Sequence, residues 1–163
     1  MTFRSIVLAL IIATSASPAT ALSCLRPDIA SSFDRAAQAE ESYVILHGQF
    51  DFDGGAMAGA TMTDNNRTDD PASLPAIFTG QMLTPDGFSD VPDQMVTLQS
   101  TCAGPWCGGM GPGVKLAFVQ QIGSDLILYL GACGGNAFDD PTPADLDLVT
   151  SCLRGVGCAS PQP

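Results

Sequence analysis

Histidine, lysine and tryptophan occur once each in 163 residues, as His47, Lys115 and Trp106. One histidine cannot build a histidine-rich metal centre. It also leaves nucleophilic catalysis a single base, and no serine, cysteine or paired carboxylate can be assembled around it with a third group as orienter. His47 is therefore expected to lie in a strand, satisfied by hydrogen bonds or solvent, and no catalytic residue is assigned. Basic residues are scarce as well: six Lys+Arg stand against 17 Asp+Glu, a formal charge of −11. Such a surface repels phosphate backbones, which excludes nucleic acid as an expected partner and suits solubility, cations or a basic protein. There is no CxxC pair, and the glycines between Gly104 and Gly113 are not closed by Lys-Ser/Thr, so a redox dithiol and a phosphate loop both lack their signatures. No apolar run reaches the roughly 20 residues that a membrane-spanning helix needs.

What is present begins with a leader. Met1 to Arg4 supplies a positive charge, Ile6 to Ala13 is continuously apolar, and Ala19-Thr20-Ala21 has the small-x-small form of a signal-peptidase site. Residues 1–21 read as a cleaved signal peptide, residues 22–158 as one domain and residues 159–163 as a loose tail. Cleavage takes Arg4 away and leaves five Lys+Arg against the same 17 acids. A single lysine beside four arginines is the bias of a GC-rich bacterial genome, so the expected destination is the periplasm or the medium.

All six cysteines follow the cleavage site: Cys24, Cys102, Cys107, Cys133, Cys152 and Cys158. An even set in an oxidising compartment reads as a disulfide framework whose pairing the spacing leaves open. Pro105-Trp106-Cys107-Gly108 is superficially like the thioredoxin active site, but Met110 stands where the second cysteine belongs. Met82 and Met95 read as core filler, since no Met/His cluster accompanies them. Asp51, Asp53, Asp64, Asp69 and Asp70 offer oxygen ligands without the EF-hand spacing, so neither metal nor cofactor is expected. Asn66-Arg67-Thr68 is a glycosylation sequon that a bacterial host leaves bare.

The elements read as follows. Asp28 caps a helix over Ile29–Glu40 with a stripe of Phe33, Ala36, Ala37 and Glu40. A strand follows over Tyr43–Phe52, buried on both faces at its start and bent at Gly48. Asp53–Pro75 lacks periodicity and reads as a long loop. Strands are expected over Ala76–Leu83, Gln94–Cys102, Val114–Gln121 and Asp125–Leu130, with turns at Thr84-Pro85-Asp86-Gly87 and Ile122-Gly123-Ser124. Thr142-Pro143 opens a last helix with a Leu146, Val149 and Leu153 stripe, ended by Gly155.

Five strands with a helix at each end make the element list of an OB-type Greek-key barrel, mainly β. The residues resemble the netrin-like domain of the tissue inhibitors of metalloproteinases. Leu22-Ser23-Cys24 follows the leader, SYVILHGQF runs into a long connection, Cys107-Gly108 follows a strand, a hairpin strand ends in Cys133, and a C-terminal helix ends near further cysteines. The likeness spans most of Cys24–Cys158. It implies a Cys24–Cys133 bridge, with Cys107 pairing locally to Cys102 and Cys152 to Cys158. Those inhibitors begin with Cys-x-Cys and chelate the protease zinc through the first residue, and Leu22 stands there instead.

The expected function is that of an exported, monomeric binding module, not an enzyme, with a protein partner. Its candidate surface is Leu22, Ser23, Asp64, Asn66, Trp106 and Met110, although Trp106 reads first as a cap on the end of the barrel rather than as a ligand-stacking side chain. Two alternatives are a metalloprotease inhibitor and a periplasmic thiol-redox or metal-handling protein using Cys102 and Cys107. A third is a lipoprotein with Ala21-Leu22-Ser23-Cys24 as lipobox, though lipidation would leave five cysteines to pair.

Overall fold

The computed structural model describes residues 24–61, 73–104 and 106–159. The leader, Leu22 and Ser23, Asp64 and Asn66 with the sequon, and the end of the tail lie outside the described residues.

The fold is mainly β, with three helices. In chain order the elements are α1 (Ile29–Gln38), β1 (Ser42–Asp51), α2 (Gly54–Thr61), β2 (Ser73–Thr84), β3 (Gly87–Ser100), β4 (Cys102–Ala103), β5 (Trp106–Cys107), β6 (Gly113–Ile122), β7 (Asp125–Leu130), β8 (Ala137–Asp139) and α3 (Pro143–Leu153). The main sheet runs β1-β2-β3-β7-β6-β8, and β1 also pairs with β6. The pairings among the five long strands therefore return to their starting strand. All are antiparallel except β3 with β7, which runs parallel over Val96–Ser100 and Leu126–Leu130.

Local chemistry explains the element ends. Asp28 caps α1, its carboxylate accepting from the Ser31 N–H at 2.9 Å. Thr142 and Asp145 form a reciprocal capping box on α3, with Pro143 in the first turn, where a missing N–H costs nothing. The Thr84 hydroxyl donates to the Gly87 carbonyl at 2.7 Å and ties the β2–β3 turn. Gly48 and Gly80 face one another where β1 crosses β2, and a Cβ on Gly48 would lie 2.3 Å from the Thr79 carbonyl oxygen. Only glycine fits such an approach, and the register of β2 on β3 shifts at that point, between Phe78 and Gly80.

Burial divides into two clusters. The inward faces of β1, β2, β3, β6 and β7 enclose Leu46, Phe50, Phe78, Val96, Leu98, Val119 and Leu128, with the Phe50 and Phe78 ring centroids 5.0 Å apart. On the other side of β1 and β6, Ile45, Leu116 and Phe118 pack under Ile29 of α1 and Val149 of α3. Strands β1 and β6 thus bury both faces, which is why they read as near-continuous apolar runs.

Several expectations need correction. The long loop is not structureless where it is described. Asp53 accepts from the Gly55 and Ala56 N–H groups at 2.9 and 3.1 Å and caps α2, whose Met57 closes the main core. Small residues without an amphipathic stripe hid that helix. Ser73–Pro75 already belongs to β2, and β3 begins at Gly87 and ends at Ser100, because the hairpin pairs all the way to its turn. In α1 the buried residues are Ile29, Ala30 and Ser32, with Phe33 and Ala36 half-buried, while Ala37 and Glu40 are exposed: the helix meets the sheet through its first turns. In α3 Val149 and Cys152 are buried and Leu146 is half-buried against the second cluster, whereas Leu153 is 42 % exposed at the helix end beside the Cys152–Cys158 bridge.

Candidate functional site

Two separated parts of the chain meet where β7 ends. The first is the N-terminal segment, held by the Cys24–Cys133 bridge just beyond Leu130. The second is the β4–β5 hairpin, where Cys102 and Cys107 are directly paired residues and are joined by a bridge. The start of α2 lies against the segment between this hairpin and β6: a Cβ on Gly54 would sit 3.0 Å from Pro112. The remaining bridge, Cys152–Cys158, lies at the end of α3, and there is no free cysteine among the described residues. These are the pairs that the family resemblance implies. Three bridges fit an extracellular or periplasmic compartment.

The hairpin is anchored at its base. Thr101 N–H donates to the Leu130 carbonyl at 2.8 Å, Gly108 N–H to the Thr101 carbonyl at 2.9 Å, and the buried Ser100 hydroxyl to the Gly108 carbonyl at 2.6 Å. A Cβ on Gly108 would lie 2.2 Å from the Leu130 oxygen, so only glycine allows the two backbones to close there. From that base the hairpin carries Trp106 outward, 48 % exposed. Trp106 thus projects from the hairpin and does not cover the core. Met110 is half-buried and packs against the main core. It borders a small cleft of about 70 Å³ with Tyr129, Asn136 and Asp139.

Arg35 locks the far wall of this end. Its guanidinium donates to the Gly135 carbonyl at 2.9 Å and to Asn136 Oδ1 at 3.1 Å, and Asn136 Nδ2 donates to the Tyr129 carbonyl at 3.0 Å. Tyr43 has a raised pKa, chiefly through burial and then through Glu41, with Arg35 opposing.

Two polar features were not foreseen. Lys115 is 5 % exposed and forms an ion pair with Asp139 across β6 and β8. Its only sequence signal is a lone lysine inside the apolar strand VKLAF. His47, expected to be satisfied, has a buried Nδ1 with no hydrogen-bond partner, and its ring meets Phe88 edge-on at 5.6 Å. Its expected partners fail because β1 turns this side chain toward the apolar β2–β3 tip. Among the described residues no three His, Cys, Asp or Glu side chains gather into a metal-binding group. No helix among them is long and apolar enough to cross a membrane.

Comparison with protein-family models, with curated proteins and with solved structures finds no match to this chain.

Proposed function

We propose that the chain is an exported, disulfide-stapled binding module on an OB-type Greek-key barrel, netrin-like in its layout, that recognises a protein without catalysing a reaction. Support for the barrel is the cycle of pairings β1-β2-β3-β7-β6-β1 with its one parallel contact. Support for export is the leader and the three bridges. The observation that carries the binding reading is the convergence of the bridged N-terminus and the anchored hairpin at the end of β7, with Trp106 displayed there. An aromatic side chain held out on an anchored turn is a low-entropy contact of the kind that dominates protein interfaces. The non-catalytic reading draws on His47, the single histidine, whose Nδ1 meets neither a hydroxyl nor a carboxylate.

One observation favours a second reading, thiol redox chemistry: Cys102 is exposed and its bridge closes a separation of only five residues. A photocrosslinking residue at position 106, with position 38 on α1 as control, separates the readings in the exported fraction of the host. A discrete protein adduct from 106 and none from 38 supports recognition at this end. Equal labelling from both positions, or none, contradicts it. Two thiols titrating in the native protein without reductant would favour the redox reading instead.

A further inference from the structure

We propose that the outer face of β2, β3 and β7 is a second docking surface, and that it takes a segment of a basic protein in which lysine or arginine is flanked by apolar side chains. The proposal rests on the reading of the chain as a binding module and adds a surface distinct from the one at Trp106.

The two sides of the sheet's outer surface are treated differently. Helices α1 and α3 cover β1, β6 and β8, where Ile45, Leu116 and Phe118 are buried beneath Ile29 and Val149. On the middle of β2 and β3, no described residue covers the corresponding side chains. Ile77 and Met95 are register neighbours and remain 54 % and 70 % exposed, so Met95, unlike Met82, is not the core filler that the sequence suggested. Met95 opens onto a groove of about 480 Å³ toward β7, floored by Thr97 and Ile127. Adjacent exposed apolar residues along paired strands form a contiguous patch, unlike scattered surface hydrophobics.

Charge selects the occupant. Asp93 and Asp125 border the groove, and Asp51 stands in register beside Ile77. No lysine or arginine lines the groove, and three described cations have partners elsewhere: Lys115 with Asp139, Arg35 with Gly135 and Asn136, and Arg154 with the Pro85 carbonyl. Residues 62–72 bring three aspartates and one arginine, so that segment does not supply the complementary charge. A second copy, at a formal charge of −11, is repelled. A basic partner is both steered to the face and matched by it. β7 pairs with β3 only over Val96–Ser100, and on the stretch it leaves open Pro92 has no N–H to donate, which disfavours pairing of an added strand. Docking therefore runs through side chains.

The test uses the oxidised exported protein and an alternating lysine–leucine octapeptide as probe, with octalysine and an alternating glutamine–leucine octapeptide as controls. Methyl NMR at physiological salt is expected to show shifts at Ile77, Met95 and Ile127. Affinity should fall about tenfold for either control peptide, about tenfold in Met95→Gln/Ile127→Gln, and about tenfold in Asp93→Asn/Asp125→Asn, all with unchanged thermal midpoints. Shifts confined to other methyls overturn the proposal, as does octalysine binding as well as the lysine–leucine probe. Concentration-dependent shifts at these methyls without peptide would make a second copy the occupant, which also overturns it. Any of these failures leaves crosslinking from position 106 unaffected, so the two surfaces stand or fall separately.

Discussion

Loss of the Cys24–Cys133 bridge should destabilise the fold far more than loss of the hairpin bridge. The bridges close 109 and 5 residues respectively. In the chain-entropy description, a loop of that longer length contributes about 4.8 kcal/mol and the short one about 2.1 kcal/mol, a difference of about 2.7 kcal/mol. The native contacts point the same way. Cys24 is the tether of the segment that leads into α1, and α1 covers the second cluster through Ile29, which lies only five residues further on. The hairpin, by contrast, keeps its Thr101, Ser100 and Gly108 hydrogen bonds to the sheet when its bridge is removed. Cys24→Ser/Cys133→Ser and Cys102→Ser/Cys107→Ser variants, unfolded in urea under identical conditions, measure the difference directly. At roughly 3 °C per kcal/mol for a domain of this size, the thermal midpoints should differ by about 8 °C. Equal losses from the two variants would refute the loop-closure reasoning, and a larger loss from the hairpin pair would mean that the hairpin, not the N-terminal tether, holds the structure.

Three further outcomes follow from individual residues. Val149 is the fully buried residue by which α3 meets the sheet, so Val149→Asp should cost more than about 3 kcal/mol in urea unfolding; a change within about 0.5 kcal/mol would show that α3 does not dock by this face. Asp139→Asn strands the Lys115 ammonium in a buried position and should cost about 2 kcal/mol, whereas Lys115→Met, which leaves only an exposed carboxylate, should cost clearly less; the reverse order would mean that the pair is not what stabilises the β6–β8 edge. The raised pKa of Tyr43 means that the folded state favours the neutral phenol, so the stability it contributes is present below the ordinary value of 10.0 and is lost as pH rises through its folded pKa. In a Tyr129→Phe background, absorbance titration should place Tyr43 above that value, and a titration at or below it would contradict the assigned burial.

The strand positions were legible because β1, β6 and β7 carry long apolar or alternating runs, and the turn residues at Pro85, Gly87 and Gly123 bound them. Helix α3 was legible through Thr142-Pro143. What escaped was whatever depends on distant neighbours. Helix α2 has no apolar stripe and carries Gly54, Gly55 and Gly59 among its alanines, and it exists because Met57 fills the end of the core and Asp53 caps it. Strand β8 has only three residues and is defined by pairing with β6. The burial of Lys115 and the orphaned Nδ1 of His47 come from which face each strand presents, and a local pattern fixes that poorly when both faces are apolar. The surface was read in part. Trp106 is exposed where it was expected to act as a cap, Met110 is half-buried against the core, and the Ile77–Met95 pair needed the strand register to be seen at all.

The most direct measurement is the intact mass of the exported protein followed by peptide mapping without reduction. Removal of residues 1–21, a mass six hydrogens below the fully reduced chain, no adduct, and Cys24 linked to Cys133 are the expected results. A lipid on Cys24, a free thiol there, or a Cys24–Cys107 link would contradict the stapled module proposed here.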